Sequence, residues 1–325
     1  MDPDSEKYQL MTFPSLTAQV IISTLHGMLS IVSSILSIFF LTVLLRSERL
    51  RTLENSLLIH LVLVDALLGI SSFANAINFT RSEAEQKALL CFMYIFFINL
   101  LGCIQLMSFV AYTADRFLKI VYPFVYIRFL TKRNVTISIC LIHVLSSVAT
   151  CYQTVYFEWQ KGKDCIHLYV IHKYAVIALV VLIGVLLLVV VILNMKIMHI
   201  IHRQRREIMS QNVSRNVSRN VSQQPNPNQS QSDAAKTGKT LALLTLFTMV
   251  SYLPYWIPLV ASLLGLRTSE EVALISTNVG FVFWVINFIA DSVTLMGSRN
   301  DIKDCVKQTL ASLKNKLFSK GEPVN

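Results

Sequence analysis

The sequence predicts an all-α membrane protein, a bundle of seven transmembrane helices followed by an amphipathic helix on the membrane surface. Of its 325 residues, 54% are hydrophobic and only 15% are charged, whereas a soluble globular domain is about a quarter charged. Seven apolar segments reach the roughly 20 residues that an α-helix needs to cross a ~30 Å hydrocarbon core. Helices satisfy their own backbone groups inside a bilayer, so they are the expected spanning form.

The predicted bundle occupies residues 16–297 and follows an outer amino-terminal segment, residues 1–15. Its seven predicted spans are Leu16–Leu45, Asn55–Ile77, Leu90–Val121, Val135–Tyr156, Tyr174–Ile201, Thr240–Leu264 and Val272–Gly297. No internal repeat is evident among these spans, so the duplicated halves common in transporters are not indicated.

Lys and Arg are distributed unequally between the two sides of this bundle. The connectors after the first, third, fifth and seventh spans carry 22 of the 29 basic residues, and the opposite side carries the other 7. Because an excess of Lys and Arg marks the cytoplasmic side, the amino terminus is predicted outside the cell and the carboxyl terminus inside. The net charge of +10 then reflects attraction to an anionic inner leaflet and not to nucleic acid.

Two segments outside the spans lie on the predicted cytoplasmic side. Residues 202–238, rich in Ser, Asn, Gln and Pro, bury too little apolar surface to offset their ordering entropy and are predicted to be disordered. In residues 298–325, apolar side chains recur every three or four positions between lysines, which predicts a basic amphipathic helix on the inner membrane surface.

The disordered segment contains the repeat "NVSRNVSRNVS", which matches the N-glycosylation acceptor pattern several times. Inside the cell these patterns are expected to stay unglycosylated. The same repeat places Ser218 and Ser222 three residues after an arginine, the spacing that a basophilic kinase reads, and phosphates there would add negative charge to a basic loop. An unmodified spacer is the alternative.

The inner end of the third span, "AYTADRFLKIVYP", carries a carboxylate and an arginine that are costly to place at membrane depth. Asp115 is able to hold Arg116 through a charge-assisted hydrogen bond. The alternative is an interfacial arginine that extends to the headgroups. Cys91 lies at the outer end of the same span, and Cys91 and Cys165 are the two cysteines on the oxidising outer side, so a disulfide between them is predicted.

At this motif the chain resembles the rhodopsin-like G-protein-coupled receptors, whose third helix carries the sequence D-R-Y, matched here by Asp115, Arg116 and Phe117. The stretch "LVLVDALLG" is similar to the family's second-span L-x-x-x-D, and "SYLPYW" is similar to its sixth-span C-W-x-P or C-F-x-P-Y. The stretch "DSVTL" stands in the place of N-P-x-x-Y. The resemblance implies an activation hinge at Tyr252 and Pro254.

The chain departs from the family pattern at several positions. Ser37 replaces the first-span asparagine, His143 replaces the fourth-span tryptophan, and Asn194 stands where a fifth-span tyrosine is usual. The fifth-span proline and the seventh-span proline and tyrosine are absent. Both inner tyrosines that steady the arginine in the family's active state are therefore missing.

Four polar residues at similar depth form a predicted polar core: Asp65, Gln105, Asn287 and Asp291. Two carboxylates with amide carbonyls suit a hard cation such as sodium, or a shared proton if no ion enters. A polar network that holds the helices together is the alternative. No other cofactor is expected.

The resemblance also implies an outer ligand cavity, lined by Ile98, Asn99, Cys103, Tyr255, Trp256, Asn278, Phe281 and Trp284. The third span has no carboxylate for an ammonium ligand, and the middle of the seventh span has no lysine for a retinal Schiff base. Amine-receptor and opsin interpretations are therefore disfavoured. An apolar and aromatic site for a lipid, an odorant-like molecule or a small peptide is expected, and ordinary helix packing of these aromatics is the alternative.

The resemblance therefore implies a plasma-membrane receptor that converts binding of an extracellular ligand into activation of a heterotrimeric G protein, with no catalytic chemistry. Ligand binding would open the hinge and expose Arg116, Lys236 and Lys239 to the G protein. One alternative is an ion-coupled transporter or channel that uses Asp65 and Asp291. Another is a receptor-fold scavenger that does not signal.

Overall fold

The computed structural model describes residues 16–79, 88–155, 157, 173–216, 238–254, 270–297 and 300–319. Almost all of these residues are helical, and six of the helices are long and apolar enough to cross a membrane. The sixth predicted span is absent from that count because only residues 240–254 of it are described, a stretch shorter than the roughly 20 residues that a span needs. The predicted all-α membrane bundle is confirmed.

The helices of the described residues are numbered here in chain order. They are α1 Leu16–Arg46, α2 Ser56–Phe79, α3 Ala88–Val121, α4 Pro123–Phe129, α5 Lys132–Val155, α6 Lys173–Asn216, α7 238–254, α8 Glu270–Met296 and α9 Asn300–Ser319. A short 3-10 turn, Leu53–Asn55, leads into α2.

The structure corrects the sequence-based boundaries at α6. This helix continues to Asn216, so the prediction that disorder begins at residue 202 is wrong for residues 202–216. The reason lies in the segment "HRQRREIM", in which Arg, Gln, Glu and Met all have high helix propensity and need no buried face to extend an existing helix. Ser218, Ser222 and Lys236 lie outside the described residues.

Helix α4 is a second element that the sequence did not predict. It lies between the third and fourth spans and begins at Pro123, where the missing N–H of proline is harmless because the first turn of a helix has no intrahelical partner for it. Only one side chain of α4, Tyr126, is buried.

Helices α1 and α2 pack closely at Gly69. A Cβ atom added there would lie 2.5 Å from Ser34 Oγ and 3.2 Å from Ser34 Cα, so the absence of a side chain is what allows the two backbones to approach. Further along the same interface, Ser33 and Ser72 are also buried. Small residues therefore determine the spacing of the first two helices.

Two apolar clusters fill the bundle, one toward each end. Here the end of the bundle that the Lys and Arg asymmetry predicts to face the cytoplasm is called inner, and the opposite end outer. The inner cluster includes Phe40, Leu58 and Phe109, and the outer cluster includes Leu68, Trp284 and Phe288. Along α2, α3 and α8 the change from one cluster to the other occurs at the positions of the predicted polar core. The fold therefore holds four polar side chains between two apolar layers.

Helix α9 docks on the inner end of the bundle. Ile302 and Cys305 are buried against it, whereas Lys303 and Lys307 are exposed. The Cys305 thiol lies 3.3 Å from the Ser47 hydroxyl in the connector after α1. The predicted amphipathic helix is confirmed, and the start of its apolar face, at Ile302 and Cys305, is buried whereas Leu310 is exposed.

Candidate functional site

Arg116 lies buried at the inner end of α3, with only 4% of its surface exposed. Its Nε atom lies 3.5 Å from Asp115 Oδ2, and its Nη2 donates a 3.0 Å hydrogen bond to the backbone carbonyl of Glu54. Its guanidinium carbon also lies 5.0 Å from the centroid of the Tyr112 ring, within the range of a cation–π contact. The arginine is therefore folded into the bundle and does not extend to the headgroups.

The Asp115 carboxylate has a second partner in α4. Tyr126 donates a 3.1 Å hydrogen bond from its hydroxyl to Asp115 Oδ1. Burial and the adjacent carboxylate raise the pKa of the Tyr126 phenol, so the hydroxyl keeps the proton that it donates. Lys119 forms an ion pair with the Glu54 carboxylate, and this pair lies beside the Tyr126 ring.

We call Glu54, Asp115, Arg116, Lys119 and Tyr126 the inner polar cluster. The sequence predicted Asp115 and Arg116 but missed the other three members. Two of them had a signal in the sequence: Glu54 is an acidic residue at the inner start of a span, and Lys119 lies one helical turn after Asp115. Tyr126 had none, because its orientation depends on the unpredicted helix α4.

Of the remaining residues predicted to couple to a partner, the structure describes Phe117 and Lys239. Phe117 packs partly buried against the inner apolar cluster, and its ring lies 6.1 Å from that of Tyr122. Lys239 is exposed at the start of α7. The observed partners of Arg116 belong to α3 and to the turn before α2, and residues 238–254 contain no acidic side chain that could form an ion pair with it.

Helices α6 and α7 are joined by a buried hydrogen bond at the inner side of the bundle. Asn194 donates from Nδ2 to the hydroxyl of Thr245, which in turn donates to the Leu241 carbonyl at 2.8 Å. The polar residue that replaces the usual fifth-span tyrosine thus ties these helices together. Of the predicted hinge residues, Tyr252 packs on the outer apolar cluster, and Pro254 is the last described residue of α7.

The structure brings the four predicted polar-core residues together. Asp65, Gln105, Asn287 and Asp291 are all buried, and Asp65 lies close enough to Asp291 for the two carboxyl groups to interact electrostatically. Asn287 donates a 3.3 Å hydrogen bond from Nδ2 to Asp291 Oδ2. Ser37, which replaces the first-span asparagine, lies next to this core with its hydroxyl 3.0 Å from that of Ser292.

Five buried oxygen atoms of this core have no hydrogen-bond partner in the structure. They are both carboxylate oxygens of Asp65, Oδ1 of Asp291, and the side-chain carbonyls of Gln105 and Asn287. Buried polar atoms of this kind normally have a partner, and a hard cation takes such oxygen ligands. The donor set therefore fits a sodium ion. No group of three or more His, Cys, Asp or Glu residues in the described part of the chain is arranged to hold a metal.

The outer half of the bundle contains an aromatic cluster. The rings of Phe281 and Trp284 lie 6.4 Å apart, Phe288 lies 5.0 Å beyond Trp284, and His26 of α1 stacks on Phe281 at 6.0 Å. A Cβ atom at Gly102 would lie 3.1 Å from the Trp284 ring, so the glycine makes room for the indole.

Most of the predicted cavity residues belong to the surroundings of this aromatic cluster. Ile98, Phe281 and Trp284 are part of the outer apolar cluster, and Asn99 and Cys103 are half-buried in α3 beside it. Asn278 lies in α8, but its side chain is outside the described set, and Tyr255 and Trp256 are outside it altogether. The sequence missed His26, whose Nε2 is buried without a hydrogen-bond partner, as is Trp284 Nε1.

Cys91 is disulfide-bonded and buried at the start of α3. Its predicted partner Cys165 lies outside the described residues, so the pairing itself stays a prediction. Four other cysteines, Cys103, Cys140, Cys151 and Cys305, are free thiols.

The chain forms a transmembrane helical bundle with the buried Arg116 at one end, a polar core at its centre and an aromatic cluster at the other end. This is the organisation of a membrane receptor. Residues 36–294 match the family described as 7 transmembrane receptor (rhodopsin family), which is most of the 325-residue chain. The chain belongs to this family. The resemblance inferred from the sequence motifs is confirmed.

The chain is also similar to melanopsin of Branchiostoma belcheri, with 34% identity over 108 residues. This match covers 32% of the present chain and 15% of melanopsin, so the chain corresponds to only a small part of that protein's length. The sequence Glu270–Met296 contains no lysine. The seventh predicted span thus lacks the lysine whose absence disfavoured an opsin interpretation in the sequence analysis.

Proposed function

We propose that this chain is a plasma-membrane receptor that converts the binding of an extracellular ligand into activation of a heterotrimeric G protein, without catalytic chemistry of its own. The observation that carries the proposal is the buried Arg116 at the inner end of α3. A buried cation is costly unless it is paired. Here the pairing of Arg116 depends on the Asp115 carboxylate and the Glu54 backbone carbonyl. A small movement of either group therefore favours release of the arginine side chain.

Movement of α7 would provide the second state. Pro254 lacks the N–H of an ordinary helical residue and favours a kink there. The inner part of α7 is tied to α6 by the bond between Asn194 and Thr245. A ligand that binds more tightly when this contact is broken shifts the population toward the open bundle, with Arg116 facing the cytoplasm.

Helix α4 supports the presence of a protein partner beside Arg116. Phe124 is 85% exposed and Ile127 is 73% exposed, while Tyr126 of the same helix contacts Asp115. Apolar side chains grouped on an exposed loop are typical of an interaction surface. A partner that covers Phe124 and Ile127 would also touch Tyr126, which holds the Asp115 carboxylate beside Arg116.

The outer half of the bundle favours an uncharged ligand. No Asp, Glu, Lys or Arg occurs in residues 16–30, 66–79, 88–103, 145–155, 174–186 or 272–286. The aromatic cluster around Phe281 and Trp284 offers apolar surface, and the indole N–H of Trp284 is a donor within it. A lipid or odorant-like molecule with a hydrogen-bond acceptor fits this chemistry better than an amine or a charged peptide.

The proposed orientation places the amino terminus outside the cell, and the Lys and Arg asymmetry of the connectors supports it. An epitope tag at the amino terminus should therefore bind antibody on intact cells, and one at the carboxyl terminus only after permeabilisation. Glycans on Asn212, Asn216 or Asn220 in protein from intact cells would contradict this orientation.

Guanine-nucleotide exchange on a panel of purified G proteins tests the function. The full chain in lipid nanodiscs, with tissue extract as the source of ligand, should accelerate exchange on at least one of them. Arg116→Ala should reduce this acceleration at least tenfold, because the released side chain is the proposed contact. Arg133→Ala, which removes an exposed arginine at the start of α5, should leave it unchanged. An absence of exchange under every condition would refute coupling.

The buried pair of Asp65 and Asp291 favours a second candidate, an ion-coupled transporter or channel, because intramembrane carboxyl groups mark ion paths in such proteins. Reconstituted liposomes distinguish the two functions. Solute uptake or ionic current that disappears in Asp65→Asn would support the transporter, whereas exchange activity without transport supports the receptor.

A further inference from the structure

We propose that the inner end of α6 binds a polyanionic phospholipid of the cytoplasmic leaflet, one whose headgroup carries phosphomonoesters. The site consists of Lys196, His199, His202 and Arg206, all exposed, which we call the basic stripe. The proposal concerns lipid binding and is independent of whether the receptor activates a G protein.

The basic stripe continues an apolar stripe along one face of α6. Exposed residues recur at alternating intervals of four and three, the spacing that keeps side chains on one face of a helix. In order they are Val181, Val185, Leu188, Ile192, Met195, His199, His202 and Arg206. The face is apolar up to Met195 and basic from His199 onward.

This face points away from the rest of the bundle. The opposite face of α6 carries Ile197 and Ile201, which are buried, and a Cβ atom at Gly238 of α7 would lie 2.7 Å from Ile201 Cδ1. Because α7 covers that side, the exposed stripe faces the surrounding lipid.

The apolar part of the stripe is long enough to cross the hydrocarbon half of one leaflet. At 1.5 Å per residue, the distance from Val181 to Met195 is about 21 Å, which exceeds the ~15 Å of half a hydrocarbon core. The basic stripe then extends a further ~10 Å from His199 to Arg206, at the level of the headgroups. Acyl chains therefore have an apolar track that ends at the basic side chains.

The charge of the stripe favours several phosphates over one. No acidic residue occurs in residues 174–206, so Lys196, His199 and His202 have no carboxylate within one helical turn along α6. The first acidic residue is Glu207, directly after Arg206. Lysine and arginine are the usual phosphate partners, and imidazole N–H groups donate as well. The group spans about 15 Å from Lys196 to Arg206, too long for one phosphodiester to satisfy. Basic side chains directly cytoplasmic to a span attract the anionic headgroups of the inner leaflet.

Native mass spectrometry of the full chain, released from nanodiscs, tests the proposal. The probes are phosphatidylinositol bisphosphate, phosphatidylserine and phosphatidylcholine at equal mole fraction. We expect the bisphosphate to be retained at least tenfold more than phosphatidylserine. The triple variant Lys196→Gln, His199→Gln, Arg206→Gln should lose this preference.

The matched control is Lys132→Gln with Arg133→Gln at the inner start of α5, which removes the same two formal charges from exposed positions. It should retain the bisphosphate as the unaltered chain does, and so should Arg206→Lys, which keeps the charge. If the triple variant does not fold, single Lys196→Gln and Arg206→Gln variants take its place, each with at least a threefold loss expected.

Three results would overturn the proposal: equal retention of both anionic lipids, unchanged retention in the stripe variants, or the same loss in the α5 control. A stripe variant that loses G-protein exchange in pure phosphatidylcholine nanodiscs, with lipid retention unchanged, would assign the stripe to a protein partner instead. Because the lipid assay contains no G protein, failure of the proposed signalling function leaves its result intact.

Discussion

At the inner end of α3 the buried guanidinium group of Arg116 contacts a carboxylate, a backbone carbonyl and an aromatic ring in place of water. The Asp115 ion pair, at 3.5 Å, is longer than a normal charge-assisted hydrogen bond. Asp115 is itself held by Tyr126. A single residue in a loop helix therefore influences how firmly the arginine is retained.

Replacing Tyr126 with Phe tests this influence. The change removes one hydrogen bond to a carboxylate, a loss of about 1.5–3 kcal/mol at most, and frees Asp115 to move. We expect basal nucleotide exchange without ligand to rise several-fold. Because the pKa of Tyr126 is raised above its ordinary value of about 10, the hydroxyl is protonated across roughly pH 6 to 8, and the effect should be constant there.

Tyr122→Phe is the matched control, since Tyr122 is exposed at the start of the same connector. A Tyr126→Phe variant whose basal exchange equals that of the control would show that α4 does not act on the arginine.

Gly69 offers a second test at the level of one residue. Gly69→Ala would place a methyl group 2.5 Å from Ser34 Oγ and 3.0 Å from the Ser34 backbone nitrogen. Because the backbone has to move, we expect destabilisation of about 1–3 kcal/mol. Thermal unfolding in detergent measures it. In Gly297→Ala the nearest atom would be 3.4 Å away, so that control should unfold near the parent temperature.

At the level of helices, α6 and α7 are linked by the hydrogen bond from Asn194 to Thr245, and Asn194 stands where the family usually has a fifth-span tyrosine. Asn194→Ala should loosen the inner part of α7 and raise basal exchange, and Thr245→Val should do the same because it removes the other partner. In a double-mutant cycle the two changes should not add. Additive effects would show that the residues act separately.

The elements also show which features a sequence reveals. Apolar runs such as "VLIGVLLLVVVILN" identify spans because their length matches the bilayer. The inner end of α6 was misjudged because "HRQRREIM" is polar, and polarity alone does not distinguish an exposed helix from a disordered loop. Helix α4 escaped prediction because seven residues with five apolar side chains show no clear period.

The site was predictable to a different extent in each of its parts. Asp65, Gln105, Asn287 and Asp291 could be grouped because charged and amide side chains are rare at membrane depth. Glu54 accepts from Arg116 through its backbone carbonyl, an interaction that no side-chain pattern encodes. His26 meets Phe281 across α1 and α8, and only the packing of these helices reveals that contact.

For the molecule as a whole, the polar core joins α2, α3 and α8 between two apolar layers. Its unpaired oxygens predict that sodium binds the folded bundle and stabilises it by mass action. Replacing choline chloride with sodium chloride at equal ionic strength should raise the unfolding temperature by a few degrees. Asp65→Asn should abolish this difference, whereas Asp304→Asn on the exposed face of α9 should preserve it. An equal response of both variants would exclude a sodium site at Asp65.

The burial of Cys305 beneath the first inner connector has a practical consequence. Cys140 and Cys151 face outward from within α5, where surrounding lipid shields them from water-soluble maleimides, and Cys103 lies inside the bundle. Among the free cysteines of the described residues, Cys305 is thus the one at an aqueous boundary. Its rate of labelling reports how often α9 detaches from the bundle, so the native chain contains its own reporter for that motion.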